Sequence, residues 1–285
     1  MDQAKMLRRL VEERQKNENG PKIIAITSGK GGVGKTNFTV NLAIAMAMCG
    51  KKILIIDADL GMANVDVILG TTPQYNLLNL LDDNLSLEEI MATGPHDIKY
   101  ISGGSGLEKL ANLNINELEY IIDKIDQCEY VADYIFIDTG AGLNKNVLNF
   151  IIAADEVILL TTPEPTAITD AYAIMKAYSY YSKQSLIGVV VNRIFEDNEE
   201  ELVLSKLSKT AEKFLDLYVK KIGGIYEDRN LIKAVKAQQP VLMAYPNTIA
   251  SRCIKDIAYN MINDVQLTRY GGLRGFLDKL RRILR

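Results

Sequence analysis

The chain has 285 residues, 48% of them apolar and 24% charged, so it can bury a large core and has the composition of a globular protein. Its formal net charge of −3 argues against a strongly basic surface for nucleic acid, although a local basic patch stays open. The three cysteines are far apart without a CxxC pair, so spacing supports neither a zinc nor an iron–sulfur site. Isolated cysteines, no apolar leader and no apolar run of membrane-spanning length predict a protein of the reducing cytoplasm.

After a polar N-terminal segment (1–16) and a short linker (17–21), apolar runs alternate with helical patterns. The runs cover 22–27, 52–57, 98–102, 134–138, 156–161 and 186–192, with a weaker one at 218–225. The helical patterns cover 36–49, 114–127, 145–154, 166–182, 198–216 and 247–263. Because the runs are rich in Val, Ile and Leu throughout, they predict strands buried on both faces. The alternation predicts a single α/β domain over 22–268, with a mostly parallel sheet of about seven or eight strands and helices on both faces.

The first run leads into SGKGGVGKT (28–36) and then into a helical pattern. The spacing from Gly29 to Gly34, Lys35 and Thr36 matches G-x-x-x-x-G-K-[ST], a P-loop whose backbone N–H groups and following helix bind phosphate. Lys35 is expected to reach the β- and γ-phosphates, and Thr36 to bind Mg²⁺. A plain glycine-rich turn is the structural alternative, but the strand before the loop and the helix after it favour nucleotide. The loop residues expected to contact it are Gly29, Gly31, Gly32, Val33, Gly34, Lys35, Thr36 and Asn37.

Two other predicted strands end in carboxylates. Asp138 closes the run YIFID and is predicted to serve Mg²⁺ through a water molecule, with a helix cap as the structural alternative. The glycines that follow suit a segment that senses the γ-phosphate and moves. Asp57 and Asp59 follow the second run, on the same side of an extended segment. One carboxylate near the metal and one near the attacking water would suit hydrolysis, although solvation is the default for such a pair in a loop.

The segment 271–285, GGLRGFLDKLRRILR, is an amphipathic helix with five Arg or Lys residues and one Asp between its apolar positions. A basic helix of this kind fits the surface of an anionic membrane. Most amphipathic helices instead pack on the core of their own protein. The terminal position, the glycine hinge and the basic residues favour the membrane. The residues predicted to face it are Leu273, Phe276, Leu277, Leu280, Ile283 and Leu284.

Three stretches, GKGGVGKT, IIDADLGMANVDVILG and FIDTGAG, resemble the deviant Walker A ATPases of the MinD/ParA class. Within that class the chain most resembles the FlhG family (also called YlxH or FleN), MinD-like ATPases that control flagellar number and placement. DQAKMLR (2–8) and TTPEPTAITDAYA (161–173) are also similar to that family, and the resemblance covers nearly the whole chain. It implies an ATP- and Mg²⁺-dependent ATPase that forms a homodimer with ATP and associates reversibly with the inner face of the cell membrane.

The resemblance also implies catalytic roles. Lys30 would be the signature lysine that reaches the nucleotide of the partner subunit, whereas the structural alternative is a solvated loop lysine. Asp59 would align the attacking water and Asp57 would lie near Mg²⁺. The C-terminal helix would target the protein to the membrane.

Adenine would be held by Asn192 and by a later loop that offers Asp228 and Pro240, since an Asn amide can both donate to and accept from the base. Each of these residues also has an ordinary structural interpretation. No N-K-x-D motif is present in the sequence, which favours ATP over GTP.

The N-terminal segment would stimulate the GTPase of a partner, the signal-recognition-type protein FlhF, and flagellar basal-body switch proteins would be further partners. Gln3 would act at the partner's site, and Leu7 and Arg8 complete the matching motif. Without the resemblance, a frayed helix is the default interpretation of this segment.

Other functions stay open. A ParA-type ATPase would use DNA as its cooperating surface, but the chain lacks a strongly basic body. An iron–sulfur carrier of the same superfamily would need paired cysteines. A nucleotide-gated scaffold with negligible turnover differs from the ATPase switch only in its kinetics. The one histidine, His96 in TGPHD, is interpreted as a loop residue.

Overall fold

The computed structural model describes residues 20–59, 64–81, 85–103, 132–182, 185–264 and 272–284, together with residues 120 and 124. Apart from those two residues, the predicted helix at 114–127 lies outside the described residues, as do the N-terminal segment 1–16 and most of the linker. The strands are β1 (Lys22–Ser28), β2 (Ile53–Ala58), β3 (Ala92–Thr93), β4 (Lys99–Ile101), β5 (Tyr134–Ala141), β6 (Glu156–Thr161), β7 (Leu186–Ile194) and β8 (Tyr218–Tyr226).

These strands form one eight-stranded sheet in the order β3-β4-β2-β5-β1-β6-β7-β8. All neighbours run parallel except β3, which pairs antiparallel with β4. The predicted α/β fold with a mostly parallel sheet is confirmed. The sequence patterns missed β3, because two residues at a sheet edge carry no periodic signal.

Helices cover both faces of this sheet. They are α1 (Lys35–Met48), α2 (Val65–Leu69), α3 (Leu87–Ile90), α4 (Lys145–Ala153), α5 (Pro165–Ser179), α6 (Glu199–Leu215), α7 (Arg229–Lys236), α8 (Val241–Ala244), α9 (Ile249–Asn263) and α10 (Gly272–Leu284). One apolar core contains side chains of α4, α5, α6 and α10, and the other contains side chains of α1, α2, α8 and α9. Helix α1 contacts both the sheet and α9 and is buried on most of its surface, so its sequence is apolar nearly all round.

The C-terminal helix α10 docks on the molecule's own core, against α4 and β1. Its apolar residues are between 1% and 7% exposed and share a core with both elements, and these residues are Leu273, Phe276, Leu277 and Leu280. Ile283 packs against the same core with partial exposure. The apolar face that was predicted to meet a membrane is therefore covered by protein in this conformation.

The polar face of α10 stays accessible. Lys279 and Arg282 are exposed, and Arg281 is half-buried with its guanidinium 3.2 Å from the Asp278 carboxylate. None of the helices in the described ranges is long and apolar enough to span a membrane. The docked helix thus presents positive charge outward while its apolar side chains face inward.

Candidate nucleotide site

Three neighbouring strands end at the same edge of the sheet, and each leads into residues predicted for the nucleotide site. β5 lies between β2 and β1, and all three run parallel, so their carboxyl ends lie together, where α/β sheets bind ligands. In the register of β2 and β5, Asp57 is paired with Asp138. The P-loop (28–36) follows β1, the next strand of the sheet. The fold therefore brings together three groups that are far apart in sequence.

The P-loop has the backbone that a phosphate site needs. Gly32 and Gly34 have left-handed φ angles of 79° and 94°, which residues with a Cβ rarely adopt. Left-handed residues at alternate positions turn successive N–H groups toward one point, and the N-terminus of α1 adds its partial positive charge. Gly29 is constrained by packing instead, because a Cβ there would lie 2.2 Å from the backbone carbonyl carbon of Asp170 in α5.

Lys35 forms a buried ion pair at the base of this loop. Its Nζ lies 3.0 Å from Asp138 Oδ1, and the two side chains are 6% and 0% exposed. Thr39, one turn further along α1, donates its hydroxyl to the same oxygen at 2.9 Å. These contacts connect the first turn of α1 to the end of β5.

Asp57 and Asp138 form a buried acidic pair that suits a divalent cation. Burial, followed by the charge of Asp138, raises the pKa of Asp57 to about 7, although three backbone N–H groups donate to its carboxylate. Among the described residues, Asp138 Oδ2 is buried without a hydrogen-bond partner. Thr36, which is half-buried in the first turn of α1, adds a hydroxyl. Mg²⁺ commonly takes one or two protein oxygens together with phosphate oxygens and water, so this donor set fits it.

Asp59 lies beside the segment that follows Asp138. A Cβ on Gly140, near the end of β5, would stand 3.5 Å from Asp59 Oδ1. Asp59 is partly exposed, unlike the buried pair next to it. This position is compatible with a group that orients an attacking water, and that role for Asp59 stays a prediction.

Lys30 does not enter the buried site of its own chain. Its Nζ lies 2.9 Å from Glu164 Oε2 and 3.1 Å from Thr166 Oγ1, both at the start of α5. The Lys30 and Glu164 side chains are 41% and 55% exposed. The hydrogen bond and charge of Lys30, with a smaller contribution from Arg193, hold the pKa of Glu164 below its usual value. The Lys30 ammonium is thus held at the surface, beside the P-loop, and its predicted role across a dimer interface stays a prediction.

The end of β7 contacts the P-loop from another side. Asn192 is 7% exposed, and its Nδ2 donates to the Val33 carbonyl at 2.7 Å. Arg193 donates from Nη2 to the Gly32 carbonyl at 2.8 Å. The structure therefore places Asn192 on the loop backbone, and its predicted contact with adenine stays a prediction.

The other two residues predicted for adenine lie beyond β8. Asp228 is buried, and its carboxylate accepts from the backbone N–H groups of Asn230 and Ala250, which start α7 and α9. Pro240 precedes α8, whose Leu242 N–H donates to the Asn41 side chain of α1 at 3.0 Å. The loop at Pro240 thus contacts the P-loop helix, and both residues have structural roles whether or not they contact a base.

Sequence reasoning missed several residues that the fold brings to the loop: Thr39, Glu164, Thr166 and Arg193. Thr39 could have been found, since it lies one helical turn after Lys35 and so on the same face of α1. Glu164 and Thr166 follow β6, and Arg193 lies near the end of β7, so only the strand order brings these three to the loop. The predicted partner residues Gln3, Leu7 and Arg8 lie outside the described residues.

Comparisons with known proteins agree with this geometry. Residues 21–188 match a family described as an AAA domain. The chain is 36% identical over 259 residues to the antiactivator FleN of Pseudomonas aeruginosa, covering 90% of this chain and 92% of that protein. It is 34% identical over 274 residues to the flagellum site-determining protein YlxH of Helicobacter pylori, covering 94% and 92%. Its fold matches a chain of the MinC:MinD cell division protein complex of Aquifex aeolicus with a TM-score of 0.69, at 28% identity, covering 88% of this chain and 100% of that one.

Because Gly29 lies against α5, we expect the P-loop to tolerate alanine less well at position 29 than at position 31. Gly29→Ala should lower the free energy of unfolding by about 1–3 kcal/mol, because the new methyl group meets backbone atoms that cannot rotate away. Gly31→Ala is the matched control, since the nearest atom to its Cβ would be Ala141 Cβ at 3.9 Å. Urea unfolding without nucleotide measures both, and equal stability of the two variants would contradict the packing argument.

Proposed function

This chain belongs to the MinD/ParA-type P-loop ATPases, with FleN and YlxH among its relatives, and on that premise we propose that it is an ATP-driven membrane switch. ATP binding joins two copies, the dimer associates with the inner face of the cell membrane, and hydrolysis releases it. The observation that carries the proposal is the second lysine of the P-loop. Lys35 already serves the buried site, while Lys30 remains on the surface, paired with Glu164.

The residues of the site suit hydrolysis of a bound Mg²⁺–ATP. Thr36, with Asp57 and Asp138 through water, would hold Mg²⁺, which neutralises phosphate charge. Lys35 would reach the β- and γ-phosphates from its position beside Asp138. Asp59 would accept a hydrogen bond from the attacking water and orient it toward the γ-phosphate. Adenine would lie near Asn192, Asp228 and Pro240.

Lys30 supplies the link between the nucleotide and the dimer. To reach a partner's phosphates, its ammonium has to leave Glu164 Oε2 and Thr166 Oγ1. An ion pair this exposed is weak and screened by salt, so a phosphate in a water-excluding interface competes well with it. Glu164 thus competes with the partner's phosphates for Lys30 and mildly opposes ATP-dependent dimerisation.

The dimer step predicts opposite effects of two substitutions. With a non-hydrolysable ATP analogue, Lys30→Ala should abolish dimerisation, because the only group proposed to cross the interface is lost. Glu164→Gln should raise the affinity of dimerisation a few-fold, because the neutral amide has nearly the same shape as the carboxylate but holds Lys30 less strongly. Sedimentation velocity measures both.

Glu156→Gln is the control for the dimer experiment, because Glu156 pairs with Lys22 at the opposite end of the parallel strands. Dimerisation of Lys30→Ala at wild-type affinity would refute the role of Lys30 across the interface. Weaker dimerisation of Glu164→Gln would refute the competition.

Membrane association is proposed to depend on release of α10. Its apolar face is already buried in the protein, so insertion exchanges one apolar environment for another and gains little from the hydrophobic effect. The remaining gain is the attraction between the basic face and anionic lipid, which is about 1 kcal/mol per Lys or Arg. One helix should therefore bind weakly. Two helices in one dimer make the second insertion intramolecular and raise the overall affinity.

The membrane step can be measured by co-sedimentation with anionic and neutral vesicles. Full-length chain should pellet with anionic vesicles in ATP but not in ADP, and Asp59→Ala in ATP should pellet more, because it retains ATP. Lys279→Gln with Arg282→Gln is the matched control, since it removes exposed charge and keeps the docked apolar face. Truncation after Tyr270 removes the helix altogether. Equal pelleting in ATP and in ADP would refute the coupled switch. Pelleting that persists both in the double glutamine variant and in the truncated chain would refute it as well.

The N-terminal segment is proposed to stimulate the GTPase of FlhF, and flagellar basal-body proteins are proposed as further partners. The similarity to FleN and YlxH and the DQAKMLR stretch support this. Addition of the full chain should raise the GTP hydrolysis rate of FlhF, and Gln3→Ala should remove the increase, because a Gln can orient water in trans. Lys30→Ala, which leaves the segment intact, is the control. Equal stimulation by Gln3→Ala would exclude this role.

A further inference from the structure

The corner at the end of β7 joins two consecutive side chains to the same loop. Asn192 donates to the Val33 carbonyl at 2.7 Å and Arg193 to the Gly32 carbonyl at 2.8 Å. In a regular strand, neighbouring side chains point to opposite faces of the sheet. Some departure from strand geometry is therefore needed for both to contact the P-loop.

That departure is observed at Arg193. Its φ is 58°, in the left-handed region, where a residue with a Cβ is strained. The pairing of β7 with β8 is irregular between Asn192 and Ile194, as at a bulge, which commonly re-aims a side chain. Other contacts have to offset the cost of this conformation. One such contact is the hydrogen bond that the Arg193 side chain donates to the Gly32 carbonyl.

The two carbonyls belong to the peptide units that define the phosphate cradle. The Gly32 carbonyl shares its peptide plane with the Val33 N–H, and the Val33 carbonyl shares its plane with the Gly34 N–H. In a trans peptide the C=O and N–H bonds point in opposite directions. A donor that holds each carbonyl on the outside of the loop therefore orients the attached N–H toward the inside.

The conformational freedom of the two glycines makes these hydrogen bonds to the loop carbonyls necessary. Gly32 and Gly34 have φ angles of 79° and 94°, and glycine backbones rotate more freely than others. The peptide units around Val33 would otherwise sample orientations that turn their N–H groups away from a phosphate. Asn192 also packs closely, because a Cβ on Gly34 would lie 2.6 Å from its Nδ2.

We infer that Arg193 is a positioning residue for ATP binding, which uses its strained backbone to reach the Gly32 carbonyl and orient the N–H groups of the P-loop toward the phosphates. The role concerns the nucleotide site of a single chain and is independent of dimerisation and of the membrane. It differs from a direct contact with nucleotide, because both ATP and ADP use the cradle in the same way. It differs from a purely structural role, because the left-handed conformation itself does not favour an arginine.

The test compares Arg193→Gly, Arg193→Lys and wild type by isothermal titration with ADP and with a non-hydrolysable ATP analogue. Arg193→Gly should lower the affinity for each nucleotide by a similar factor of about ten, the order expected for loss of a charge-assisted hydrogen bond. Its melting temperature without nucleotide should stay equal or rise, because glycine adopts the left-handed conformation without strain. Arg193→Lys should recover part of the affinity, since an ammonium can still donate to the carbonyl.

Asp216→Gly is the matched control. Asp216 also has a left-handed φ, 54°, but it ends α6 next to the start of β8, at the opposite end of the sheet. It should gain the same relief of strain with unchanged nucleotide affinity.

Three outcomes would overturn the inference. Wild-type affinity of Arg193→Gly for both nucleotides would show that the loop needs no such donor. Loss of affinity for the ATP analogue alone would indicate direct contact with the γ-phosphate. A melting temperature that falls together with the affinity would indicate a role in the fold, and failure of the switch proposal would change none of these measurements.

Discussion

The buried ion pair between Lys35 and Asp138 is the interaction on which the rest of the site depends. Two charges that are 6% and 0% exposed are stable only when each compensates the other, since removing one would leave an unpaired buried charge. The pair fixes α1 against the end of β5, and through Thr39 it extends one turn along the helix. The start of α1 sets the position of the P-loop, so the loop, the acidic pair and Asp59 are all placed relative to this contact.

Next to this ion pair, the P-loop is held on three sides by segments at or beyond the ends of other strands. The backbone of α5 packs against Gly29, the start of α5 holds Lys30, and the end of β7 holds the carbonyls of Gly32 and Val33. The strand order β5-β1-β6-β7 puts these segments side by side. A loop held from outside through its carbonyls and side chains keeps its N–H groups available for phosphate. The contacts of Lys30 with Glu164 and Thr166 are exposed, so a second subunit can replace them.

Helix α10, elsewhere in the molecule, also makes contacts within the chain that an outside surface can replace. Four of its apolar residues are buried in the core, yet its basic residues Lys279 and Arg282 face solvent. A helix whose apolar face is already buried in protein moves to a membrane only when attraction to charged lipid, or the presence of two linked helices, favours lipid over protein. In the proposed switch, both Lys30 and α10 leave a contact within their own chain for one outside it.

The sequence by itself determined the strands other than β3, the longer helices and the chemistry of the loop, because periodicity, glycine spacing and the G-K-T motif are local signals. β6 begins and ends where its apolar run does, and β5 was recognised from YIFID, although the strand continues three residues past Asp138 to Ala141. Only the tertiary structure decided which distant residues meet. Arg193 contacts Gly32 across 161 positions of sequence, and Lys30 contacts Glu164 across 134, so no local pattern could indicate either. The docking of α10 was likewise undetermined, because an amphipathic pattern states that an apolar face must be covered and leaves open whether protein or lipid covers it.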